Sequence, residues 1–176
     1  MHLNDKLTFF QNLLLDILKR RVVFRKFETE MKKTKLTADN DMMALVWYGY
    51  VISQLSDCRK FFDRDGNAHS FQFIVQHTKD ELLKDRHIEL FGTWKDKKLE
   101  TVLNKYMLHA DQRVGEIKTD VSVTVLDAFI DDLEKYVKEI VGNLSESYDG
   151  ISVLEYDSYL KDREPEVDIF FNEVRK

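Results

Sequence analysis

One proline and six glycines in 176 residues narrow the fold of this chain more than any other feature. Turn-dense folds such as sandwiches and barrels draw heavily on both residues, because proline presets a turn dihedral and glycine supplies left-handed geometry. A chain with so few of either must use long elements and few connections, and helices are the natural long element. At this length a chain buries roughly 70% of the surface that its unfolded form exposes, so a core can form without staples. One domain is expected.

Apolar spacing divides the chain into helices. Leu7, Phe10, Leu14, Ile17, Leu18, Val22 and Phe24 keep close to the three-or-four spacing of a buried stripe, which predicts one helix over residues 3–33. Lys19, Arg20, Arg21, Arg25 and Lys26 occupy its flanks. Asp39-Asn40-Asp41 can cap a second helix, striped by Met43, Val46, Trp47, Tyr50, Val51, Gln54, Leu55 and Cys58 and ending near Phe62. Ser70 is placed to cap a third over residues 71–83, with Phe71, Ile74, Val75, Thr78 and Leu82 inward. Residues 87–96 read as two pieces broken at Gly92, and a further helix spans about 95–107. The run from Val121 to Val125 alternates like a strand, but a lone strand has no partner, so it reads as an extended lead-in. Thr124 and Asp127 then resemble a capping box for a helix striped by Leu126, Phe129, Ile130, Leu133, Tyr136, Val137 and Ile140 and stopping at Gly142. Short helices over about 153–161 and 166–174 flank Pro165. The expected fold is all-α, an up-and-down bundle of five or six helices. Residues 1–145 form the bundle, and 146–176 form a helical extension packed on it or on a partner.

Charge and cysteine usage exclude several functions. Lys and Arg total 27 against 32 Asp and Glu, a net charge of -5, so the chain as a whole does not attract nucleic acid. Any such contact needs a local basic patch or a partner. The single Cys58 excludes an internal disulfide framework and a multi-cysteine zinc site, and it fits a reducing cytoplasm. It also sits on an apolar stripe, where burial is the commoner fate of a thiol than nucleophilic work. No apolar run approaches the ~20 residues that span a bilayer, and the start of the chain carries no targeting pattern. A soluble, cytoplasmic protein without a membrane partner is expected.

Metal and cofactor signals are weak. His69 and His77 are eight apart and His87 and Glu89 two apart, neither being the spacing of ligands on one helical turn. His87-Ile88-Glu89 opens like a zinc-deaminase signature, but the cysteine pair that completes it is absent. Asp63 to Asn67 resembles a calcium loop superficially, with Gly66 two positions early. No glycine-rich stretch leads into a Lys-Ser or Lys-Thr pair. Asp127, Asp131, Asp132, Glu134 and Glu139 lie off the stripe of their helix and read as a solvated acidic face. No cofactor and no metal are expected.

One segment concentrates chemistry. Asn104, Lys105, His109, Asp111 and Arg113 fall within ten positions near a helix end. At ~100° per residue, Lys105 and His109 share a face, whereas Asn104 lies about 140° round from His109. His109 can act as a general acid or base near neutral pH, and Lys105 can hold a phosphate or stabilise a developing negative charge. Those are the parts of a metal-independent ribonuclease. They also make an ordinary helix C-terminus, where basic side chains meet the helix dipole.

The stretch Asn104-Lys105-Tyr106-Met107-Leu108-His109-Ala110-Asp111 resembles the signature of the HEPN superfamily, and most closely its abortive-infection, AbiU-type branch. Typical of that branch is Arg-Asn-Lys, three residues, then His-Ala-Asp. Ile52 to Arg59, Asn67 to Phe71 and the helix from Leu126 to Ile140 are similar to it as well, so the resemblance spans about residues 40–142. It implies a HEPN-like bundle that forms a homodimer with its motifs at the dimer cleft. It further implies a phage-defence or toxin–antitoxin setting, with RNA as substrate and an antitoxin protein as partner. The catalytic set it implies is His109, Asn104 and Lys105, supported by Asp111, Arg59 and Arg113. The motif's Arg is replaced here by Leu103. Either Lys105, Arg59 or Arg113 supplies the missing cation, or the chain is a non-catalytic dimerisation or interaction module.

Overall fold

The computed structural model describes residues 2–33, 41–63, 70–108, 122–161, 168–169 and 172–173. Among them lie seven helices and no strand: α1 (Leu3–Lys33), α2 (Asp41–Lys60), α3 (Phe71–His77), α4 (Glu81–Asp96), α5 (Leu99–Leu108), α6 (Val123–Ser147) and α7 (Tyr156–Lys161). The all-α expectation holds, with more and differently divided helices than the apolar spacing alone indicates.

Long helices alternate in direction. Phe24 stacks on Tyr50, Gln54 donates to the Ile17 carbonyl and Phe10 packs on Phe61, so α2 runs back along α1. Trp94 meets Phe129, His87 meets Tyr136 and Arg86 pairs with Glu139, so α4 and α6 are antiparallel. Arg25 reaches Asp127 and Arg21 reaches Asp131 and Glu134, which sets α1 antiparallel to α6. Leucines and isoleucines of α1 and α6 fill one shared core, with Phe10, Phe61 and Phe71 at ring separations of 5.0–5.1 Å inside it. Offset and edge contacts of this kind suit the ring quadrupoles. The chain after α6 returns to α1. There the Gln11 amide donates to the Ser152 carbonyl (2.9 Å) and accepts from the Leu154 N–H (2.8 Å), while Tyr156 is buried.

Local hydrogen bonding explains where the helix boundaries depart from expectation. Ser70 caps α3 as expected, its hydroxyl accepting from the Gln72 N–H. But α3 stops at His77. The Thr78 hydroxyl accepts from the Asp80 N–H and donates to Asn143 on α6, and the Asp80 carboxylate caps α4 by accepting from the Leu82 N–H. Side chains that offer the backbone alternative partners end helices in this way. Leu82, expected inward, is left 78% exposed. Helix α4 then passes through Gly92 without a break, and α6 passes through Gly142 to Ser147. The strand-like run is the start of α6: Ser122, not Thr124, is the cap, accepting from the Val125 N–H. A serine N-cap stabilises a helix by roughly 1 kcal/mol, enough to override a short alternating pattern. The expected cap at residues 39–40 and the turn at 64–67 lie outside the described residues, as does Pro165.

Candidate functional site

The motif helix is aimed by the turn before it. Helix α4 ends where the Lys97 and Lys98 N–H groups bond back to Thr93 and Lys95, with Lys98 at a φ of 57°. That left-handed residue reverses the chain into α5, which packs on α2 and α4. Leu99, Val102 and Leu103 face the core, while Thr101 and Asn104 face outward. Leu103 is 0% exposed. Leu103, which stands at the Arg position of the signature this stretch resembles, is therefore a core side chain.

The rest of the expected set is divided. Asn104 is exposed on α5, and Lys105 lies one residue further along the same helix. Arg59 is exposed in the last turn of α2 and makes no ion pair with the described residues. His109, Asp111 and Arg113 lie outside the described residues. Cys58 is buried, and burial together with Asp57 pushes its thiol up to about 12, which removes it as a nucleophile. No cluster of three or more His, Cys, Asp or Glu suited to a metal occurs among the described residues.

The acidic side chains of α6 are not the solvated face that their position off the stripe suggests. Asp127 is only 8% exposed, and it accepts from Arg25 and, at 3.1 Å, from the Tyr50 hydroxyl. Asp131 and Glu134 pair with Arg21, and Glu139 pairs with Arg86; Asp131 and Asp132 do remain exposed. Burial raises the Tyr50 phenol, more than its Gln54 hydrogen bond and the two nearby arginines lower it, so it stays a donor. Basic residues on the flanks of α1, and Arg86 of α4, explain the pattern. They reach across to carboxylates of neighbouring helices, a pairing that periodicity within one helix cannot reveal.

An open groove of about 590 Å³ lies along this ionic seam, lined by Arg21, Arg25, Lys26 and Thr29 of α1 with Asp127, Asp131 and Asp168. Arg21 and Arg25 are held by α6 carboxylates, and Lys26 pairs with Asp168. The lining balances three cations against three carboxylates and contains no His or Cys. Its cations and carboxylates pair with one another along the line where α1 meets α6, and partly exposed pairs of this kind contribute little to stability.

The same kind of pairing joins α1 to α2. Arg20 bonds both Gln54 and Asp57, and Lys60 also reaches Asp57. Burial alone would raise the Asp57 carboxyl, but the hydrogen bonds from Lys60 and Arg20 outweigh it and hold the group below its ordinary value. No helix among the described residues is long and apolar enough to cross a membrane. Compared with known proteins, the chain matches no family model, no curated protein and no solved structure.

Proposed function

We propose that this chain is a HEPN-like helical module of a phage-defence or toxin–antitoxin system that acts by binding, with the ribonuclease chemistry of the motif lost. The observation that carries this is Leu103, fully buried where the motif places its cation. An aliphatic side chain can neither hold a phosphate nor stabilise an anion, and a core position gives a replacement cation no room. The net charge of -5 works in the same direction, since it disfavours RNA. The partners are a second copy of the chain and a protein such as an antitoxin.

A second reading keeps the enzyme. Asn104 is exposed on α5, with Lys105 next to it in the helix and His109 next in sequence after its last described residue. In that case His109 moves the proton of the attacking 2'-hydroxyl or of the leaving oxygen, Asn104 orients it, and Lys105 replaces the Arg. Lys is the poorer bidentate partner for phosphate. The test is incubation of RNA with purified protein in EDTA, beside His109→Ala. Intact RNA in both supports the binding module; cleavage by wild type that is lost in the variant supports the enzyme.

A further inference from the structure

The chain after α6 is held to the bundle by few bonds. Gly150, at a φ of 80°, turns it back, and residues 151–155 then pass over α1 without regular structure. Gln11 of α1, only 4% exposed, meets this strap with both ends of its amide. Its Nε2 donates to the Ser152 carbonyl and its Oε1 accepts from the Leu154 N–H. A neighbouring strand grips a backbone in the same way, by the carbonyl and N–H on either side of one residue. The contact therefore reads main chain and ignores the side chain between, Val153, which is 53% exposed.

Side chains seat the strap at intervals. Ile151, Leu154 and Leu160 pack against the core, and Tyr156 is buried in it, with the Nζ of Lys138 on α6 lying 5.5 Å from its ring centroid. Backbone bonds that give affinity, with pockets for spaced side chains that give specificity, are the parts of a site that takes an extended peptide. The present occupant fits imperfectly. The Tyr156 hydroxyl is buried with no hydrogen-bond partner among the described residues, and burial, then Glu134, push the phenol up, so it stays an unmet donor. Gln11 supplies the hydrogen bonds that tie residues 149–161 to the longer helices, and among the described residues no ion pair joins them. Helix α7 has six residues, far fewer than a helix needs to hold by itself. Side chains of α1 and α6 meet in one core without the strap.

We propose that the cleft under residues 151–156 is a binding site for an extended segment of a partner protein, and that the chain's own strap fills it as a displaceable plug. The inference rests on the binding-module reading and gives the chemistry by which its protein partner is recognised. That segment carries aliphatic side chains at the positions of Ile151 and Leu154 and an aromatic one at that of Tyr156. Phenylalanine suits the last position better than the tyrosine now there, since it leaves no buried hydroxyl unmet. A nucleic-acid strand fits poorly, because Lys138, the cation over Tyr156, already pairs with Glu134.

Two measurements on the full chain test this. In native-state hydrogen exchange, the amides of residues 150–161 are expected to open together while those of α1 and α6 stay protected. A strap that exchanges only when the whole core does overturns the proposal. A fluorescein-labelled peptide of residues 150–161 is then titrated into wild type and into Tyr156→Ala, whose strap lacks its largest anchor. The variant should bind the peptide about tenfold more tightly than wild type, because its cleft is open more of the time. The Tyr156→Phe peptide should bind about tenfold more tightly than the native one, and adding Gln11→Ala to the protein variant should cost about tenfold. A folded Tyr156→Ala chain that takes no peptide, or binding indifferent to Gln11→Ala, overturns the proposal. So does a Tyr156→Ala chain without helical signal, since the strap is then part of the fold, and so does peptide that splits a dimer in sedimentation, since the strap then seats in a second copy. None of these results bears on RNA cleavage, on which the binding-module reading falls separately.

Discussion

Placing an arginine at position 103 should break the fold and create no ribonuclease activity. Leu103 is 0% exposed on α5, among side chains of α2 and α4. Replacing it with Arg forfeits the burial of a leucine, about 1.5–3 kcal/mol. It also forces a guanidinium into an apolar core, a cost of at least several kcal/mol. The sum is about 5 kcal/mol or more, against a total stability of ~5–15 kcal/mol for a domain. Leu103→Arg should therefore be largely unfolded or molten, whereas Leu103→Ala should fold with a loss of about 2–5 kcal/mol from the cavity it leaves. Asn104→Arg, one residue on and exposed, should stay within about 0.5 kcal/mol of wild type. Urea unfolding followed by far-ultraviolet circular dichroism reads all three. A Leu103→Arg protein as stable as wild type would mean that the side chain reaches a polar cleft, and it would refute the placement of position 103 in the core. If that protein also cut RNA, the enzyme reading would replace the binding module.

Three further outcomes follow from the ionic seams and the core. Asp127→Ala should cost roughly 1–3 kcal/mol in the same unfolding experiment, mostly by leaving the Tyr50 hydroxyl without its acceptor, since Arg25 is partly exposed and keeps Glu28; no measurable change would mean that water replaces the carboxylate. Asp57 has a folded-state pKa below its ordinary 3.8, so the stability it contributes is fully present above that value and is lost as pH falls through the folded pKa. Asp57→Asn should therefore flatten the acid limb of stability against pH, and an unchanged limb would contradict the assignment. Cys58, buried and with its thiol pushed up to about 12, should resist thiol reagents at pH 8 until the protein unfolds; rapid labelling of the native protein would show that the α2 core is open.

Patterns confined to one helix were legible in the residues. The stripes of α1 and α6 are so regular that their inward faces follow from spacing, and Ser70 announces α3 by its chemistry. Boundaries were harder because they turn on which side-chain oxygen finds which backbone N–H. Thr78 and Asp80 split one expected helix into two, and Ser122 turned a strand-like run into the first turn of α6. Gly92 and Gly142 misled in the other direction, since a glycine weakens a helix interior without having to end it. The paired acids of α6 were beyond reach, because Asp127, Asp131 and Glu134 meet arginines of α1 more than a hundred residues away and Glu139 meets Arg86 of α4. At the motif, the spacing of Leu99, Val102 and Leu103 places Leu103 on the inward side of α5, and the fold agrees.

A single-turnover cleavage experiment bears most directly on the claim that the chain binds and does not cut. Labelled RNA is mixed with an excess of folded wild-type protein in EDTA, so that even one slow event per molecule registers, with His109→Ala in parallel. The account predicts RNA that stays intact in both, whether or not it is bound. Cleavage by wild type that disappears in His109→Ala would contradict it, and would assign the missing cation's role to Lys105 or another basic side chain.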